Sequence, residues 1–113
     1  MIKPTEKQLK AVAKALGFGY GPKFTYGDAR EIYEVERFAE YLLTPGGERR
    51  IRDYLLTKVI VRFTLKRSFS QYVKVGYYYT ITDYEGYYIT GRGDTPEEAL
   101  LDAMIKHLEV TND

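Results

Sequence analysis

His107 is the one imidazole in the 113 residues, and the chain holds no cysteine for it to activate. No serine motif accompanies it. Close to the end of an apolar-periodic stretch, it reads as a surface or flanking helix histidine, and a helix C-terminus favours its protonated form. Asp83, Glu85 and Asp94 are carboxylates that hairpin ends would bring together for acid–base or metal chemistry, although turns and caps use the same residue types. Gly91-Arg92-Gly93 ahead of a helix start has the outline of a phosphate cradle. Asp94, Glu97 and Glu98 oppose that role, because they already occupy the positive end of the helix dipole. Without cysteine there are no disulfides and no zinc–thiolate sites. These residues predict no catalytic set, no cofactor and no metal, and so no enzyme.

Binding chemistry is better represented. Arg62, Lys66, Tyr72, Lys74 and Tyr78 fall at alternate positions of two β-type stretches. Basic and aromatic side chains interleaved on a sheet suit phosphate contact and base stacking. They suit a protein interface equally, since Tyr and Arg are favoured anchors there. These five are the candidate partner-binding residues.

The elements that must position them occupy Lys58 to Glu109. From Val59 the apolar residues Val59, Val61, Phe63 and Leu65 alternate with Ile60, Arg62, Thr64 and Lys66. After a turn at Arg67–Gln71, Val73, Val75, Tyr77, Tyr79 and Ile81 alternate with Tyr72, Lys74, Gly76, Tyr78 and Thr80. Period two of this kind means strands with one buried and one wet face. Asp83-Tyr84-Glu85-Gly86 makes the next turn, with Gly86 suited to positive φ, and a short third strand covers Tyr87–Thr90. Thr95, Pro96 and Glu98 then spell a capped helix start. Along that helix Ala99, Leu100 and Ala103 form one apolar stripe and Leu101, Met104, Ile105 and Leu108 a second. The small pair should sit close on the sheet, and the second stripe should meet another helix or another subunit.

Residues 1–47 read as a helical N-terminal part. Thr5-Glu6-Lys7-Gln8 is a capping-box pattern, Leu9, Val12, Ala13 and Leu16 make the buried stripe, and Gly17 is a natural stop. Lys7, Lys10 and Lys14 line the outer face. This stretch resembles the first helix of helix-turn-helix proteins, but Phe18–Phe24 is too long and glycine-rich for the tight turn into a recognition helix. A second helix is expected over Tyr26–Leu43, with Ile32, Val35, Phe38, Ala39, Leu42 and Leu43 on its buried face, ended by Thr44-Pro45-Gly46-Gly47. A short third helix is expected within Glu48–Leu56.

The length fits one domain, and the absence of long apolar runs predicts a soluble, cytosolic chain with no membrane partner. Net charge is only +1, yet basic and acidic blocks alternate along the chain, a pattern that pairs within a fold more often than it steers ligands. Twelve tyrosines and no tryptophan are the unusual feature of the composition.

Helix, three antiparallel strands and helix is an order that resembles double-stranded-RNA-binding domains. Pro96–Leu100 (PEEAL) stands where that family places phosphate-binding lysines, which reverses the charge of its main contact. The stretch YYTITDYEGYYITGRGDTPEEALLDAMIKHLE also resembles HicB-like antitoxins, through the D-x-x-G turn at Asp83–Gly86 and the G-D-T-x-E-E-A segment at Gly93–Ala99. That resemblance implies an α+β unit that docks on and neutralises another protein, of the kind carried by phages and mobile elements.

The expected fold is α+β, in the order α-α-(α)-β-β-β-α: a three-stranded antiparallel sheet, strand order 1-2-3, with helices on one face. The expected function is a non-enzymatic binding protein that blocks a partner, a toxin, nuclease or host-defence complex that handles nucleic acid. The alternative is a nucleic-acid-binding module using the basic, tyrosine-rich strands. The broad apolar arc of the last helix and the edge of the third strand also invite a homodimeric contact.

Overall fold

The threonine-proline signals at Thr44-Pro45 and Thr95-Pro96 each decide where a helix begins. A computed structural model describes residues 3–28, 30–58, 60–68, 76–83 and 85–111. The elements are α1 (Glu6–Leu16), β1 (Gly19–Tyr20), β2 (Phe24–Tyr26), β3 (Glu31–Tyr33), α2 (Val35–Leu42), α3 (Pro45–Thr57), β4 (Ile60–Ser68), β5 (Gly76–Asp83), β6 (Tyr88–Gly93) and α4 (Pro96–Thr111).

The fold is α+β, and β4-β5-β6 form the antiparallel sheet in the expected order. Helices lie on its Phe63, Tyr79 and Ile81 side. α4 packs along β6 and β5, and its second stripe meets α1 and α3. Leu101, Met104, Ile105 and Leu108 are all buried, so the wide apolar arc is filled within the chain. Gly91 and Gly93 make the close approach work. A Cβ on Gly93 would stand 2.6 Å from the Ala99 amide nitrogen, and the small Ala99 and Ala103 of α4 occupy that contact. One continuous core runs from Leu9 to Leu108.

α1 starts as spelled. The Thr5 hydroxyl accepts from the Gln8 amide (3.1 Å), the Gln8 side chain accepts from the Thr5 amide (2.8 Å), and Gly17 closes the helix at φ 84°.

The expected helix over Tyr26–Leu43 is corrected. Its first half is β-structure, because Gly27 and Asp28 take positive φ (64° and 57°) and turn β2 back on β3. Together with β1 these strands make a second small antiparallel sheet, so residues 1–47 are not helical throughout. Ile32, expected on a buried helix face, is exposed. Helix resumes at Val35, where Phe38 and Leu42 face the core. Phe38 stacks on Phe24 with centroids 4.3 Å apart, which ties the small sheet to α2.

The stop at Thr44–Gly47 is also a start. The Thr44 hydroxyl accepts from the Gly47 amide (3.2 Å) and Pro45 takes the first helical position. Gly47 is glycine because a Cβ there would meet the Leu42 Cα at 2.6 Å, where the two helix ends touch. The third helix therefore runs Pro45–Thr57, longer than expected.

Two cations from the basic middle block of the chain join this framework. Arg50 pairs with Glu31 (2.8 Å) beneath the ring of Tyr26, 4.2 Å from its centroid. Arg52 donates to Glu48 (2.7 Å) and to the Tyr79 hydroxyl, fastening α3 to β5. Opposite-sign blocks do pair here, and α3 supplies the basic partners.

Candidate functional site

The register of β4, β5 and β6 builds one surface from three cross-strand rows. Lys66, Tyr78 and Arg92 stand opposite one another in the first, and Thr64, Thr80 and Thr90 in the second. Arg62, Thr82 and Tyr88 make the third. Paired residues of an antiparallel sheet project to the same side, so these nine share the face away from the helices. Rows two residues apart are about 7 Å apart, and Arg62 and Lys66 about 13–14 Å.

Local sequence sets this alternation. From Arg62 to Ser68 the pairing with β5 is unbroken, after a register shift between Ile60 and Arg62. Arg62, Lys66 and Arg92 are exposed, Tyr88 is 72% exposed, and Tyr78 is half-buried. The Arg92 guanidinium lies over the Tyr78 ring, 5.4 Å from its centroid. The Thr80 and Thr90 hydroxyls share a hydrogen bond of 3.1 Å at the centre. None of the nine residues is acidic. Among the described residues, Arg62 and Lys66 make no ion pair. The face thus presents three cations and two tyrosines around a threonine centre.

Three of the five residues expected to bind a partner, Arg62, Lys66 and Tyr78, are brought together here. Tyr72 and Lys74 lie outside the described residues. Arg92 and Tyr88 were missed. The third strand, expected to end at Thr90, continues through Gly91, Arg92 and Gly93. The signal was there in Gly-x-Gly facing Ala-x-x-x-Ala: glycine at every second strand position marks a helix backbone lying close.

The carboxylates expected to converge do not. Asp83 is at the β5–β6 turn, where its Oδ1 accepts from the Glu85 and Tyr87 amides (3.0 Å each). Asp94 follows the far end of β6, a strand length of roughly 20 Å away. Glu98 lies against α4's own start, accepting from the Asp94 amide (3.0 Å), while the Thr95 hydroxyl accepts from the Glu98 amide (3.2 Å). Its carboxylate reaches one residue further back than in a standard capping box. His107 is not a surface group. It is buried, and desolvation, followed by the Lys58 charge, holds it below the usual imidazole range; Asp83 acts in the opposite sense.

Family models, curated proteins and solved structures give no match to this chain. The surface itself must carry the functional reading.

Away from this face a concavity of about 570 Å³ lies between β3 and α2, lined by Ile32, Tyr33, Arg37, Glu40 and Tyr41 among others. Its charges are mixed. Among the described residues no three His, Asp or Glu side chains are grouped to hold a metal, and no helix is long and apolar enough to cross a membrane.

Proposed function

We propose that this chain is a non-enzymatic binding protein that docks the open face of β4-β5-β6 on an acidic surface of a partner protein and blocks it. A toxin, nuclease or defence complex of the kind countered by phage and mobile-element proteins is the class of target. The row Lys66–Tyr78–Arg92 carries the reading, because it sets a tyrosine between two cations on a sheet face whose nine paired residues include no carboxylate. Tyr and Arg held by a rigid sheet lose little conformational freedom on binding, and that is what makes them interface anchors.

Nucleic acid is the second reading, favoured by the same lack of acid. Base stacking needs open ring faces. One face of Tyr78 is already taken by Arg92, which among the described residues leaves Tyr88, 72% exposed, as the open ring on this surface. That weighs toward protein.

The test is affinity capture from nuclease-treated lysate with the wild-type chain and with Tyr78→Ala and Arg92→Ala. A protein retained by the wild type and lost with both variants supports the proposal. Capture of no protein, together with binding of an added oligonucleotide whose affinity falls steeply as salt rises, would replace it with the second reading.

A further inference from the structure

The two edges of the main sheet are treated differently, and that difference bears on how a partner engages. At the β6 edge the Arg92 amide donates to Asp102 Oδ2 (2.8 Å) and the Thr90 carbonyl accepts from Lys106 Nζ (3.0 Å). Asp102 and Lys106 are themselves paired at 3.1 Å on α4. Two outward backbone groups of that edge are thus taken by side chains of the chain's own helix, and a strand adding there would have to displace them.

The same two bonds fix the polarity of the whole sheet. Since Thr90 and Arg92 point their backbone groups away from β5, Thr80 and Tyr78 opposite them must point theirs toward β4. Lys66, Thr64 and Arg62 therefore bond to β5, and the amides and carbonyls of Phe63, Leu65 and Arg67 face outward. No hydrogen bond from a described residue reaches the Phe63 or Leu65 backbone on that side. The Leu65 side chain, on the helix side of the sheet, is 43% exposed, because α4 covers β5 and β6 rather than β4.

We infer that β4 is a strand-addition edge, and that the partner presents an extended segment alternating acidic and apolar residues which pairs with Phe63 and Leu65. The inference rests on the binding reading of the same sheet and names the element the partner supplies. Main-chain bonds at an edge give affinity, and side chains at alternate positions give selectivity. An incoming strand would set one set of side chains beside Arg62 and Lys66, and the other beside Phe63, Leu65 and Arg67. Basic residues on an edge discourage uncharged strands and select carboxylates on the open face. A second copy of this chain is a poor occupant, because it would bring Arg62, Lys66 and Arg67 against their own kind. The register shift between Ile60 and Arg62 ends the usable edge on one side.

The experiment uses the full chain, ¹⁵N-labelled, with a blocked ten-residue peptide alternating Glu and Val as the probe. Amide exchange at Phe63 and Leu65 should be fast in the free chain and slow at least tenfold with saturating peptide. The same peptide N-methylated at alternate residues, and a Lys–Val counterpart, should give no slowing. Leu65→Pro removes an outward amide that bonds to no described residue, and so should abolish the slowing while the inward Thr64 and Lys66 amides and those of β5 stay protected. Phe63 and Leu65 amides already protected in the free chain would overturn the inference. So would a Glu–Val peptide that shifts only Tyr78, Tyr88 and Arg92, a result that leaves the open face as the binding surface and removes the edge. Equal slowing by the N-methylated peptide would also overturn it, since backbone pairing could not then be the cause. These outcomes are read independently of the capture experiment, so failure of one reading is distinguishable from failure of the other.

Discussion

Gly91 of β6 and Ala103 of α4 meet backbone to backbone: a Cβ built on Gly91 falls 2.8 Å from the Ala103 Cα and closer still to its amide nitrogen and the Ala99 carbonyl. No rotamer relieves such a clash, since both sides are main chain. Gly91→Ala should therefore push α4 off the sheet at a cost of about 2–3 kcal/mol. Gly21→Ala, where nothing lies within 4 Å, should change stability by less than about 0.5 kcal/mol. Chemical denaturation of the two variants side by side checks this.

Helix starts give the second prediction. Thr44 and Thr95 each accept an amide hydrogen bond three residues on, and each is followed by proline at the first helical position. Substituting either by Ala should cost about 1 kcal/mol. The sites are on separate helices, so the double variant should lose close to the sum of the two, and a double-mutant cycle measures it.

These contacts also show how much of the molecule was legible in the sequence. Period two in β4 and β5, the Thr5 and Thr95 starts and the α4 stripes were readable because each is a local pattern that burial enforces. The small sheet was hidden, because Ile32, Val35, Phe38, Ala39 and Leu42 fit a helical face and the turn depends on Asp28 adopting a left-handed conformation, which few non-glycine residues take. Gly46-Gly47 read as a terminator, because the contact that requires glycine at 47 is tertiary. Of the candidate surface, Arg62, Lys66 and Tyr78 were legible from alternation. Arg92 and Tyr88 needed the register, which only pairing supplies.

At the edge of β6 Asp102 and Lys106 take two backbone groups, and the apolar arc of α4 is buried in the core, so the features that suggested a homodimeric contact have partners within the chain.

His107 supplies a pH dependence. Burial and Lys58 lower its pKa in the folded chain, so on acidification the unfolded chain takes up the proton first. Where the unfolded state binds more protons, stability rises with pH. His107 should therefore leave stability intact above about pH 7.5 and reduce it as pH falls below its ordinary value near 6.5. Urea midpoints at about pH 7.5 and pH 5.5 should differ more for the wild type than for His107→Gln. An equal difference in both would show that the carboxylates alone set the acid response.

The last prediction separates the face from the core. Arg62 and Lys66 are exposed, make no ion pair among the described residues, and project opposite to Phe63 and Tyr79. Arg62→Ala and Lys66→Ala should shift stability by no more than about 0.5 kcal/mol. Tyr78→Ala also removes the Arg92 contact and should cost about 1 kcal/mol, of which the lost cation–π contact is a part. Binding should rank the residues the other way. Tyr78, at the middle of the row and half-buried before any partner arrives, should be worth roughly 2 kcal/mol of affinity, while Lys66 at the margin should be worth less and lose its effect in high salt. On a nucleic-acid partner the ranking inverts: Lys66→Ala would lower the slope of log affinity against log salt by about one unit, and Tyr78 would matter little beside Tyr88. Melting temperature and partner affinity measured for each single variant decide the matter. Should Arg62→Ala and Lys66→Ala both melt several degrees below the wild type, the face is covered within the chain and cannot be the docking surface.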